Sequence, residues 1–100
     1  MSEIRVKPLE RTELNEKASK FAGYSHRDDF CNSWALCGLL IDWKYISIHK
    51  NQDCDSWSAT NGDIWEIDQG LCKGVVIMCT ADDPKVAVAT VFVEMCERGL

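Results

Sequence analysis

Four tryptophans, Trp34, Trp43, Trp57 and Trp65, fall within 32 residues of this 100-residue chain. An indole buries a large area with one side chain, and its flat face also stacks on planar rings such as nucleobases. Trp34 and Trp57 have short polar neighbours: Asn32 and Ser33 precede the first, and Ser56 and Ser58 flank the second. Hydroxyls and amides beside a ring fix the orientation of a polar ligand. Tyr24, His26 and Arg27 lie just upstream and can complete such a pocket. The expected ligand site is therefore Tyr24, His26, Arg27, Asn32, Ser33, Trp34, Trp57 and Ser58, suited to a small nucleotide-type molecule. An anionic guest also needs cations, and Arg5, Lys7, Arg11 and Arg27 are available.

Catalytic patterns are missing. The sequence has no G-x-S-x-G, no Walker A loop, no G-x-G-x-x-G and no H-E-x-x-H. Cys31 follows His26 closely, but neighbours within one loop rarely reach the geometry of a nucleophile and its base. Asp53, Asp55 and Asp63 suggest a cation loop, yet Ser58 and Ile64 stand where an EF-hand needs Gly and Glu. No C-x-x-C pair exists, and His26 and His49 lack ligand spacing. The expectation is a binding protein, with no catalytic residue, metal or cofactor.

Six cysteines (Cys31, Cys37, Cys54, Cys72, Cys79 and Cys96) could make three disulfides in an exported protein. The first residues, however, have no apolar stretch resembling a signal peptide. Leu36, Leu71, Met78 and Met95 each precede a cysteine, the setting of a buried free thiol. Reduced core thiols and a cytoplasmic location follow as expectations. No apolar run is long enough to cross a bilayer.

Apolar residues make up 46% of the chain, enough for a core, and the length suits one domain over 1–100. The net charge of −5 is uneven. Residues 51–100 hold nine acidic and three basic side chains, hence −6, while residues 1–50 hold seven and eight. Phosphate backbones are bound mainly through Lys and Arg, so the second half disfavours nucleic acid.

These side chains must be placed by a modest set of elements. Ile4 to Lys7 alternates as a short strand ended by Pro8. Thr12 offers an N-cap, and Leu14, Ala18, Phe21 and Ala22 form one helical stripe stopped by Gly23. Residues 24–33 read as a loop, with Asn32 or Ser33 capping a short helical turn that ends near Gly38. Tyr45 to His49 and Ser56 to Thr60 read as strands around a turn. Asn61-Gly62 signals a type I′ hairpin with Ile64 to Ile67 returning, and Val75 to Cys79 is a further buried strand. Asp83 and Pro84 then open a helix that runs to about Arg98, before Gly99. The expected fold is α+β: a small antiparallel sheet of about four strands packed with an N-terminal and a C-terminal helix.

The last helix is unusually apolar. Val86, Val88, Ala89, Val91, Phe92, Val93, Met95 and Cys96 sweep roughly 220°, where a helix on one sheet needs a little over ~100°. The excess requires a second surface, either the chain's own loops or another subunit. The reading carried forward is a homo-oligomer through Val88, Val91, Phe92 and Met95.

The order of short motifs also resembles a known family. A basic strand and a helix ending Phe21-Ala22-Gly23-Tyr24 precede Cys31-Asn32-Ser33-Trp34-Ala35 and Gly38-Leu39-Leu40-Ile41. Tyr45-Ile46-Ser47-Ile48, Trp57-Ser58-Ala59 and Asp83-Pro84 before an Ala/Val-rich helix follow. This succession resembles the NinX-like accessory proteins of lambdoid and related tailed phages. The resemblance implies a phage origin and a host-facing role in the host cytoplasm, and supplies no catalytic residue. Joined to the residue-level reading, it suggests counteracting host defence by sequestering a nucleotide-type signal in an inter-subunit pocket. The alternative is an inhibitor that docks its acidic C-terminal half on a basic host protein.

Overall fold

A computed structural model of the chain describes residues 2–23, 29–52, 55–62 and 75–100. Within them the fold is α+β, with four strands in one sheet and three α-helices. Strand β1 (Ser2–Val6) leads past Pro8 into α1 (Arg11–Ala22), whose Leu14 and Ala18 are fully buried. Gly23 ends α1 at φ 82°, and its N–H donates to the Lys20 carbonyl (3.2 Å). That left-handed stop favours glycine. Thr12 is not the cap: Glu10 holds that position without a side-chain bond, and Thr12 lies inside the first turn.

A 3₁₀ turn (Phe30–Asn32) buries Phe30 and Cys31 and delivers the chain to α2 (Trp34–Lys44). Ser33 caps α2, its Oγ accepting the Leu36 N–H at 3.2 Å. The helix does not end near Gly38; it continues to Lys44, 11 residues in all. A single glycine costs about 1 kcal/mol against alanine, too little to stop a helix whose next residues pack inward. Leu40 is buried and Ile41 partly so on that inner side. The stop is Tyr45 at φ 55°, the one positive-φ non-glycine among the described residues. Tyr45 is thus a helix cap rather than the first strand residue.

Strands β2 (Ser47–Lys50), β3 (Trp57–Thr60) and β4 (Val75–Ala81) complete the sheet in the order β1-β4-β3-β2. The pairs β2/β3 and β3/β4 are antiparallel, with Lys50 opposite Trp57 and Trp57 opposite Ala81. The sheet is not antiparallel throughout. β1 runs parallel to β4, from Ser2 opposite Val75 to Val6 opposite Cys79. The expected type I′ turn also fails at its first residue, since Asn61 lacks positive φ. Its side chain instead extends the β4 ladder: Nδ2 donates to the Val75 carbonyl (3.0 Å) and Oδ1 accepts the Ile77 N–H (2.9 Å). The proposed return strand, 64–67, lies outside the described residues; both edges of β3 are taken by β2 and β4.

Helix α3 (Pro84–Glu97) begins as its sequence predicts. Asp83 Oδ1 accepts the Lys85 N–H (2.9 Å), Pro84 occupies the first turn, and Gly99 follows the end at φ 74°. It packs against β3 and β4 on one side and against α1, α2 and the 3₁₀ turn elsewhere. Val88, Val91 and Phe92 are completely buried, and Met95 is 6% exposed. This corrects the expected oligomer interface through Val88, Val91, Phe92 and Met95. The wide apolar arc is met by the chain's own helices, leaving those side chains no surface to offer another subunit.

Candidate functional site

Among the described residues, the sequence-chosen ligand residues fall at the start of α2 and on β3. Tyr24, His26 and Arg27 lie outside the described residues. Asn32 donates from Nδ2 to Asp29 Oδ2 (2.7 Å), which orders the approach to α2, and the Ser33 hydroxyl is used as the cap. Trp57 is half-buried at the start of β3, with the Lys50 ammonium 5.6 Å from its ring centre. Ser58 points to the opposite face of the sheet, as alternation requires. There it is buried, 2.9 Å from Thr80 Oγ1, and donates to Asn51 Oδ1 at 3.0 Å. Its hydrogen-bonding capacity is met inside the fold. Of the described members of that set, Asn32, Ser33 and Trp34 build the start of α2, and Trp57 and Ser58 belong to β3.

Of the expected cations, Arg11 is engaged within the fold. A groove of about 460 Å³ opens at the carboxyl ends of β1 and β4, lined among others by Glu10, Arg11, Thr80, Asp82 and Asp83. Arg11 spans it, donating to Asp83 Oδ2 (3.2 Å) and to the Cys31 carbonyl (3.3 Å). The Lys85 ammonium meets Asp83 Oδ1 at 3.3 Å. Burial alone would raise the Asp83 carboxyl, but the Lys85 backbone N–H and ammonium and the Arg11 guanidinium outweigh it and hold it below its usual value. The cluster ties the start of α1 to the start of α3. With Glu10 and Asp82 alongside, it does not favour an anion.

The thiols are packed as neutral groups. Burial pushes the Cys37 thiol up to about 12 and Cys79 to about 11, and raises Cys31 as well. Cys37 Sγ donates to the Phe30 carbonyl at 3.1 Å. A nucleophile needs the thiolate, which such sites suppress. Cys31, Cys37, Cys79 and Cys96 are free, as expected; Cys54 and Cys72 are outside the described residues. No group of three His, Cys, Asp or Glu that could hold a metal occurs among the described residues. No described helix is long and apolar enough to cross a membrane.

The surface that stands out is one the sequence reading did not select. Helix α2 turns Cys37 and Leu40 inward, while Trp34 (50% exposed), Leu39 (56%) and Trp43 (54%) face outward. Tyr45, 82% exposed, extends the same surface past the helix end. Ala35 and Gly38 are exposed between them, and Asp42 is the one charged residue on this outer arc. Both indoles are held in place. The Lys85 ammonium sits 5.1 Å from the Trp34 ring centre and the Lys44 ammonium 5.1 Å from that of Trp43. Trp43 also meets Phe92 with ring centres 5.6 Å apart. Lys44 is fixed in turn by donating to the Leu100 carbonyl (2.9 Å).

The signal for this face was in the sequence. From Trp34 to Lys44 only the last residues, Asp42 and Lys44, are charged, so the segment is apolar all round. Ending the helix at Gly38 hid that pattern. The chain matches no protein-family model, no curated protein and no solved structure.

Proposed function

We propose that this protein is a non-catalytic binding protein that docks a protein partner on the outer face of α2. One observation carries the reading: Trp34, Leu39 and Trp43 are each about half exposed on a single rigid helix, beside Tyr45. Contiguous exposed apolar patches of this kind mark interaction surfaces on soluble proteins. Trp and Tyr are enriched among residues that dominate binding energy. Because Ser33 caps the helix and Lys85, Lys44 and Phe92 hold the rings, little ordering entropy remains to be lost on docking.

A nucleotide-binding role has less behind it. It required a seam along α3, whose apolar residues are covered, and cations free to meet phosphate, whereas Arg11 is committed to Asp83. The inhibitor alternative keeps its logic but changes its surface, from the acidic C-terminal half to an apolar helix at 34–44. That the partner is a host protein, met in the cytoplasm of a phage-infected cell, rests on the NinX-like resemblance alone.

The test compares the protein with Leu39→Asp and with Trp43→Asp. Both side chains are over half exposed, so Leu39→Asp should retain the wild-type circular dichroism spectrum and melting temperature within a few degrees. Any complex that the wild type forms on size-exclusion chromatography should be lost with both variants. A partner held equally well by all three proteins overturns the reading.

A further inference from the structure

We infer that Asp83 is a positioning residue for the α2 face: by gripping Arg11 and Lys85 it holds Trp34 in its outward pose, which couples that face to the groove at the carboxyl ends of β1 and β4. The inference rests on the docking reading for the use made of Trp34. It starts from how one carboxylate is shared. Asp83 Oδ1 accepts the Lys85 N–H (2.9 Å) and meets the Lys85 ammonium at 3.3 Å. Oδ2 accepts from Arg11 at 3.2 Å. Each oxygen serves a different basic residue, and both basic residues lead to the start of α2.

One route runs through a side chain. The Lys85 ammonium lies 5.1 Å from the Trp34 ring centre, where the electron-rich indole face attracts it. The Lys85 side chain is only 18% exposed, and Asp83 is its carboxylate partner. A cation in that setting is costly to leave unpaired, and a long flexible stem lets it escape to water once the carboxylate charge is gone. Trp34 then loses the group that sits over its ring. The other route runs through the backbone. Arg11 donates its second terminal nitrogen to the Cys31 carbonyl (3.3 Å), three residues before Trp34. Cys37 ties the same region together, donating to the Phe30 carbonyl at 3.1 Å with the Lys85 carbonyl 3.7 Å away. The approach to α2 and the ring it carries are both anchored on Asp83.

Trp43 provides an internal comparison. It is exposed to nearly the same extent as Trp34 and also lies beside a lysine. Its supports are different: the Phe92 ring, and Lys44 fixed on the Leu100 carbonyl. Neither support passes through Asp83. A change at Asp83 therefore acts on one end of the exposed face and spares the other, whereas general loosening of the fold acts on both.

Nitrogen-15 relaxation of the indole N–H groups decides the matter, with each resonance assigned by replacing one tryptophan by phenylalanine. In the wild type, Trp34 and Trp43 should both show order parameters near those of rigid backbone, about 0.85. Asp83→Asn keeps a helix cap, because Asn caps as well as Asp, and removes only the charge. It should drop Trp34 below about 0.6 and leave Trp43 unchanged. Lys85→Met keeps the apolar stem and should do the same, whereas Lys85→Arg keeps the cation and should preserve the wild-type value. A Trp34 signal unmoved by Asp83→Asn or by Lys85→Met overturns the inference, and so does equal loss at Trp34 and Trp43. No partner enters this measurement, so it is separable from the docking reading. If Asp83→Asn releases Trp34 while a complex formed by the wild type survives both Leu39→Asp and Trp43→Asp, the coupling stands and the docking reading falls.

Discussion

Helices α2 and α3 are built from similar material and end in opposite situations. Both are apolar around most of their circumference. α3 disappears between the sheet and the other helices, burying every residue from Val86 to Val93. α2 buries Cys37 and Leu40 and leaves two tryptophans and a leucine half in water. The difference lies in position, not composition: α3 has neighbours on both sides, and α2 is an outer layer over α3. An apolar helix reports that contacts are wanted. Which contacts exist depends on the layer it occupies.

The largest effect should come from breaking the buried member of the pair. Phe92→Ala empties a fully enclosed site beneath Trp43 and should cost about 3–5 kcal/mol, measured by urea denaturation. The same experiment on Leu39→Ser should move stability by no more than about 0.5 kcal/mol, because that side chain has water on its outer side already. Equal losses at Phe92 and Leu39 would erase the contrast between the two helices.

An intermediate effect belongs to the start of α3. Asp83→Ala removes a helix cap and should cost about 1 kcal/mol. Asp83 also makes stability depend on pH. Its carboxyl is held below its ordinary value in the folded protein, so it binds its proton more weakly there than in the unfolded chain. That contribution is fully present above the unfolded value of about 3.9 and is lost as pH falls through the lowered folded value. Acid titrations of stability should therefore be flatter for Asp83→Ala than for the wild type below about pH 4. Parallel curves would mean that the Arg11 and Lys85 contacts do not bias the folded carboxyl.

Much of the scaffold was legible from local chemistry. The Leu14–Ala18–Phe21 stripe with Gly23, and the Asp83–Pro84 opening of α3, each carry their own start or stop signal, and the structure keeps them. Features decided by distant neighbours were not. The parallel register of β1 against β4 joins segments far apart in sequence, where periodicity carries no partner information. Asn61-Gly62 has the composition of a tight turn, but hydrogen bonds from Asn61 to β4 set its conformation. Gly38 suggested a helix end because glycine often follows one, although the stop was Tyr45, a residue that more often favours strands. The tryptophans were picked as a group for a shared reason. Their fates differ, since Trp34 and Trp43 ride on α2 while Trp57 sits in the sheet.

The β1–β4 pairing also sets an order of events during synthesis. β4 needs β1 as its second neighbour, yet β1 leaves the ribosome long before β4 exists. Until then the sheet cannot close, and α1 and α2 emerge without α3, the helix that covers their inner sides. Assembly is held back until β4 and α3 have been made, and the nascent chain carries uncovered apolar helices that holding factors can shelter until α3 arrives.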